Sequence, residues 1–132
     1  MKVLIVDDEP IARQILREML EDMPGITLTG EAASGLEAVE QIPRLAPDVV
    51  LLDLQMPGLD GFSVARTLRG ARLPLVIYVT AFESHALQAF ETGAVDYLLK
   101  PVRRERLAGA LEKARATLAG LQPAPVQTTE LR

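Results

Sequence analysis

A chain of 132 residues fits one domain, long enough to bury roughly two-thirds of the surface its unfolded form would expose, and a second full domain does not fit. The absence of cysteine excludes disulfides and thiolate metal sites and suits a reducing cytoplasm, while the absence of tryptophan points to an aliphatic core. A net charge of -4, with the basic residues spread out apart from Arg103, Arg104 and Arg106, argues against general nucleic-acid binding by these residues.

The opening MKVLIVDDEP is too short in its apolar part for a signal peptide or a membrane span, so a soluble, unexported chain with no membrane partner is expected. Its run Val3 to Val6 is continuously apolar, as in a central parallel strand covered on both faces. Pro10 suits the first turn of a helix in which Ile11, Ile15 and Met19, with Ala12, Leu16 and Leu20 beside them, form one wide apolar stripe. Residues 26 to 29 mix Thr with apolar side chains and suit a strand nearer the sheet edge. Ser34 and Glu37 form a capping box that opens a second helix, and Pro43 in its last turn should kink that helix or end it early.

Val49 to Leu52 is again continuously apolar. Asp60-Gly61 starts a third helix that runs to about Leu68, and Leu75 to Val79 is the third continuous strand. A fourth helix over roughly Glu83 to Thr92 ends at Gly93, which suits the left-handed position. Val95 to Leu99 carries polar residues and again belongs nearer an edge. Leu107, Leu111, Ala114 and Leu118 line one face of a last helix, on whose first turn the three arginines form either a solvated face or a partner contact. Beyond residue 119 the periodicity stops, and 120–132 reads as a linker or frayed tail. Five alternations of strand and helix predict an α/β domain with a mostly parallel sheet of order 2-1-3-4-5, the three continuous strands in the middle.

Charged residues fall where the apolar runs stop, and in a parallel sheet those stops are the carboxyl ends, where open α/β folds place their ligands. Asp7 and Asp8 follow the first strand and Asp53 the third. If those strands are neighbours, the three carboxylates share one pocket and raise one another's pKa unless a cation relieves them. Mg2+ suits such a sparse oxygen-donor site. Zn2+ does not, because there is no Cys and the lone His85 lies elsewhere, as a solvated surface residue. Singly, each Asp could be a helix cap, Asp8 for the helix at Pro10. Capping does not explain Thr80 at the end of the fourth strand and Lys100 at the end of the fifth. A carboxylate, a metal, a hydroxyl and an ammonium are the parts that hold a phosphoryl group in transfer. Met56-Pro57-Gly58 reads as a turn after Asp53.

MKVLIVDDEP, VVLLDLQMPGLDG, VIYVTAFE and DYLLKP, in this order and spacing, resemble the receiver domain of two-component response regulators over about residues 1–119. The resemblance implies a flavodoxin-like (βα)5 three-layer sandwich and a phosphorylation-activated switch, not an enzyme beyond catalysing its own phosphorylation and dephosphorylation. Asp53 would take a phosphoryl group from a phosphohistidine on a sensor histidine kinase. Asp8, Asp53 and the backbone carbonyl of Gln55 would hold Mg2+, with Asp7 acting through a water. Lys100 would pair with the phosphoryl oxygens, its bond to Pro101 cis; Thr80 would move to the phosphate and Tyr97 would turn inward behind it. The face made by the fourth helix, fifth strand and fifth helix would form a homodimer on activation.

The stretch TAFESHALQAFETGAVDYLLKPV is similar to receivers that precede a LytTR-type DNA-binding domain in transcriptional regulators. These 132 residues contain no recognisable DNA-reading module, so the resemblance implies DNA binding only through a C-terminal domain outside them. The alternative is a stand-alone receiver acting as a phosphorelay or interaction module. Three rivals fit less well. An FMN-binding flavodoxin would meet Asp7-Asp8-Glu9 where its phosphate loop belongs. An aspartyl phosphatase needs a second acid where Gln55 stands. A degenerate receiver would not keep Asp8, Asp53, Thr80 and Lys100 together.

Overall fold

The computed structural model describes residues 1–68, 70–84 and 86–121, apart from the side chains of Leu87 and Phe90. The apolar runs form β1 (Lys2–Val6), β2 (Thr27–Ala32), β3 (Val49–Leu52), β4 (Leu75–Thr80) and β5 (Asp96–Leu99). All pair in parallel in one sheet of order β2-β1-β3-β4-β5, as the distribution of continuous and mixed strands predicts. Between and after them lie α1 (Pro10–Glu21), α2 (Gly35–Leu45), α3 (Gly61–Thr67), α4 (Ala86–Glu91) and α5 (Arg104–Leu121).

Strand side chains alternate between two cores, and this makes the sandwich three-layered. Leu4, Val6, Val50, Leu52 and Tyr78 pack on one face with Ala38 and Ile42 of α2, Phe62 and Val64 of α3 and Ala89 of α4. Val3, Ile5, Leu51, Ile77 and Val79 pack on the other with Leu16 and Leu20 of α1 and Leu107, Leu111 and Ala114 of α5. Each such side chain taken fully out of water contributes about 1.5–3 kcal/mol. Burial on both faces is why the middle strands need no polar alternation.

Several local expectations change. In α1 only Leu16 and Leu20 are fully buried, while Ile11 and Ile15 are 71% and 46% exposed. Ile11 and Ile15 instead line an open groove with Pro101 and Val102, so that part of the apolar stripe is left uncovered. Ser34 does cap α2, accepting from the Glu37 amide at 3.1 Å, but the Glu37 carboxylate receives the amide of Ala33, one residue upstream of the expected one. Pro43 does not stop α2, which continues to Leu45 and closes on Ala46 in the left-handed conformation. One missing donor in a last turn is tolerable when Ala38 and Ile42 anchor the helix in the core.

Asp60 caps α3 through the Ser63 amide at 2.8 Å, and a Cβ at Gly61 would run into the Asp53 carbonyl, so glycine lets α3 press against the loop after β3. The strand β2 extends to Ala32, beyond its apolar stretch, with an irregular register against β1 between Val3 and Leu4. Helix α4 starts at Ala86, later than expected, and Gly93 follows it at φ 82°. Helix α5 continues to Leu121, two residues past 119 and through Gly120, whose cost at an exposed helix end is only about 1 kcal/mol. The expectations for His85 and for the tail beyond 121 lie outside the described residues. Among the described residues no helix is long and apolar enough to cross a membrane.

Candidate phosphoacceptor site

The strands β1 and β3 end side by side. Val6 pairs with Leu52, and the Asp53 amide donates to the Val6 carbonyl at 3.0 Å, so Asp7 and Asp53 leave the sheet at the same level. One carboxylate oxygen from each of Asp7, Asp8 and Asp53 lies within 4.8 Å of the other two. Asp7 and Asp53 are buried and Asp8 is half-buried. From the end of β5, the Lys100 amide is held by the Thr80 carbonyl at 2.9 Å. Its Nζ donates to Asp7 Oδ2 at 2.8 Å, to Asp53 Oδ2 at 3.3 Å and to Glu9 Oε1 at 3.4 Å. The Lys100–Pro101 peptide is cis, as is Leu73–Pro74.

Capping does not account for these carboxylates. The residue before α1 is Glu9, whose side chain makes no cap, and Asp8 makes no cap in its place. Asp7 Oδ1 accepts from the Glu9 amide at 3.0 Å, and Asp53 Oδ1 accepts from the Gln55 amide at 3.2 Å. These bonds tie two carboxylates into their own loops and aim the remaining oxygens inward. Gln55 is exposed at the rim, where Asp8, Glu9, Met56, Pro57, Ala81 and Lys100 line a cavity of about 490 Å3 around Asp53.

Burial, with Asp7 adding to it, pushes the Asp53 carboxyl above its ordinary value despite the opposing pull of Lys100. Burial works against the charge on Lys100, yet the hydrogen bond it donates to Asp7 and the field of Asp53 win and raise its pKa. The pocket is therefore an excess of carboxylates around one ammonium. An oxygen-only donor set of this spacing fits a hard divalent cation such as Mg2+, and among the described residues neither thiolate nor imidazole belongs to it.

Residues 3–112 match the family model for the response regulator receiver domain. The chain belongs to that family. It is 49% identical over 131 residues to the positive alginate biosynthesis regulatory protein of Pseudomonas aeruginosa, covering 95% of this chain and 53% of that protein. It is 44% identical over 114 residues to the transcriptional regulatory protein BtsR of Salmonella typhi, covering 86% and 48% respectively. The chain thus spans about half the length of the curated relatives it matches. Among solved structures, the response regulatory domain of protein mrkE from Klebsiella pneumoniae superposes with a TM-score of 0.83 at 32% identity, covering 91% of this chain and 99% of that one. A receiver domain is a signalling switch. Besides the acidic end of β1 and β3, the sequence also singles out Thr80 at the end of β4 and Tyr97 on β5.

At these two residues the receiver departs from simple convergence. Thr80 is fully buried, and its hydroxyl accepts from the Phe82 amide at 3.3 Å; it is not among the residues lining the cavity around Asp53. Tyr97 is buried, and its hydroxyl donates to the Phe82 carbonyl. Both side chains therefore hold the peptide groups of one residue just ahead of α4.

Sequence reasoning missed four features. Glu9 joins the Lys100 cluster from an exposed position, and nothing local distinguishes it from a solvated acid. Arg13 of α1 donates to the Asp7 carbonyl, a contact with no sequence period of its own. Asp96 is buried under a two-pronged Arg106 contact and Lys113, while Arg104 reaches Asp22 at 3.1 Å, so two of the three clustered arginines have partners within the chain. Ile11, Ile15, Pro101 and Val102 line an apolar groove of about 720 Å3 that shares Asp8, Glu9 and Lys100 with the mouth of the acidic pocket.

Proposed function

We propose that this receiver accepts a phosphoryl group on Asp53 from a phosphohistidine of a sensor histidine kinase, in the presence of Mg2+, and that the modified form controls an output outside these residues. The observation that carries the reading is the meeting of the Asp7, Asp8 and Asp53 carboxylates with the Lys100 amine at one sheet edge. A divalent cation held by Asp8, Asp53 and the Gln55 carbonyl, with Asp7 acting through a water, would offset charge on the transferring phosphoryl oxygens. An Asp53 oxygen attacks phosphorus, the P–N bond to histidine breaks, and the imidazole leaves with the bonding pair. Lys100, 3.3 Å from Asp53 Oδ2, would supply a point positive charge to a phosphoryl oxygen on Asp53, and the Thr80 hydroxyl would have to turn from the Phe82 amide to donate to another. Tyr97 supports the switch reading through its bond to Phe82, next to Thr80.

The apolar groove beside the pocket supports docking of the donor protein there, since Ile11 and Ile15 are exposed next to the acceptor. The face of α4, β5 and α5 is the proposed homodimer surface of the phosphorylated form. The two transcriptional relatives, and the length they have beyond the matched half, support a LytTR-type DNA-binding output.

Incubation with Mg2+ and acetyl phosphate tests the central step. The expected product is one phosphate per chain, stable to acid and released by hydroxylamine, with none on Asp53→Ala. Equal labelling of Asp53→Ala would sink the assignment.

A further inference from the structure

We propose that Arg13 is the positioning residue of the acidic pocket, holding the Asp7–Asp8 turn in the geometry that binds a divalent cation; this rests on the reading of that pocket given above. Arg13 lies one turn into α1 and is only 19% exposed at its side chain. Its Nη1 donates to the Asp7 carbonyl at 2.7 Å, and its Nε lies 3.3 Å from Glu31 Oε1 on β2. The other Glu31 oxygen is taken by Arg17.

The Asp7 amide in turn donates to the Ala32 carbonyl at 3.1 Å. Both backbone polar groups of Asp7 are thereby fixed to β2, the amide directly and the carbonyl through the Arg13–Glu31 pair. The next peptide carries Asp8, whose carboxylate has to face Asp53 for the three acids to share a cation. A turn pinned on one side only could swing Asp8 toward solvent, where it is already half exposed.

The bridge is chemically specific. A guanidinium can donate in two directions from a planar fork, whereas a lysine amine on a flexible stem cannot span the same two acceptors in fixed geometry. Glu31 also offsets the Arg13 charge, so a cation beside Asp8 is not opposed by an uncompensated positive group one turn away. Arg17 pairs with the same Glu31 but has no bond to Asp7, which makes it a matched control.

The test uses Mn2+ as the probe, its affinity read from loss of the free-ion electron paramagnetic resonance signal on titration with the chain. Arg13→Ala is expected to weaken Mn2+ by about tenfold, the lower end of what loss of a ligand-orienting partner costs. Arg13→Lys should not restore it, and Arg17→Ala should stay within about twofold of the unsubstituted chain. Should Arg13→Ala fail to fold by circular dichroism, Arg13→Lys carries the comparison, and its wild-type affinity would overturn the proposal. Unchanged affinity in a folded Arg13→Ala, or an equal loss in Arg17→Ala, would also overturn it. If the unsubstituted chain binds no Mn2+, the reading of the pocket itself falls, an outcome distinct from the other three.

Discussion

Replacing Asp96 by Asn removes one charge from the junction of β5 and α5, and the structure sets both the size and the pH dependence of the effect. The Asp96 carboxylate is 4% exposed as a residue and accepts from Arg106 Nη1 and Nη2, both at 2.8 Å, from Lys113 Nζ at 3.1 Å and from the Tyr97 amide at 2.8 Å. Burial alone would raise its pKa, but the Arg106 fork, the Tyr97 amide and Lys113 outweigh it and bring the value down from 3.8 to about 2. At about 1.4 kcal/mol per pH unit, that difference corresponds to a ceiling of about 2–3 kcal/mol. Arg106 and Lys113 are 49% and 59% exposed at their side chains, so solvent screening reduces the expected contribution to about 1–2 kcal/mol. Because the folded value is depressed, the contribution is complete above the unfolded pKa and fades as pH falls from about 4 toward 2, with about half left at pH 3. Urea denaturation of the parent and Asp96→Asn at pH 7, 5, 4 and 3 measures it as a difference that shrinks on the acid side. A destabilisation of the same size at pH 3 and pH 7, or none at pH 7, would refute the assignment of that shift to the ion pair.

Two further substitutions probe the site and its support. Lys100→Met removes the amine that competes with a cation for the Asp7 and Asp53 oxygens and that holds the Asp53 pKa down. Mn2+ affinity should rise several-fold, labelling by acetyl phosphate should slow by about 10²-fold, and the acid limb of its pH profile should move to higher pH; faster labelling would contradict the role given to the amine. Tyr78→Phe deletes a buried hydroxyl that meets Thr92 Oγ1 at 3.0 Å, yet Thr92 keeps its own bond to the Ala89 carbonyl, and the ring contact with Phe62 survives. Chemical denaturation should show a loss of about 0.5–1.5 kcal/mol, and a loss beyond about 3 kcal/mol would mean that the hydroxyl organises more than this one bond.

The placement of Asp7, Asp8, Asp53 and Lys100 was readable because two separate signals coincide. An apolar tetrad marks a strand, and the first charged residue after it marks the strand's end. Parallel order then brings those ends together without any pairwise contact having to be guessed. The same logic cannot reach Arg13 and Glu31, which meet across 18 positions through the packing of α1 on β2 and leave no period in the sequence. Nor can it say where a stripe runs out. Helical spacing groups Ile11 and Ile15 with Leu16 and Leu20, but only the packing partners decide which of them are covered. Asp96 looked like an edge-strand polar residue, whereas its cations lie 10 and 17 residues further on in α5, beyond the reach of strand patterning. Pro43 shows the converse, a local signal outweighed by the core contacts of its own helix.

The electrostatics of the site also explain why one chemical event could travel. Lys100 pairs with Asp7, Glu9 and Asp53, and Asp8 adds a further carboxylate beside Asp7 and Asp53, so the pocket carries a deficit of positive charge that burial makes more costly for Asp53. A cation offsets the deficit, and on the function proposed above a phosphoryl group then adds negative charge within reach of Lys100. The Thr80 hydroxyl accepts from the Phe82 amide and so has its own proton free to donate. Turning that proton toward a phosphoryl oxygen would give up the bond to the Phe82 amide, while Tyr97 holds the carbonyl of the same residue. Phe82 thus meets both the Thr80 and Tyr97 side chains, and it precedes α4. A change of partner at Thr80 would alter the constraint on that segment before it altered anything in the core. On the function proposed above, the segment ahead of α4 would therefore respond first, as a surface switch requires.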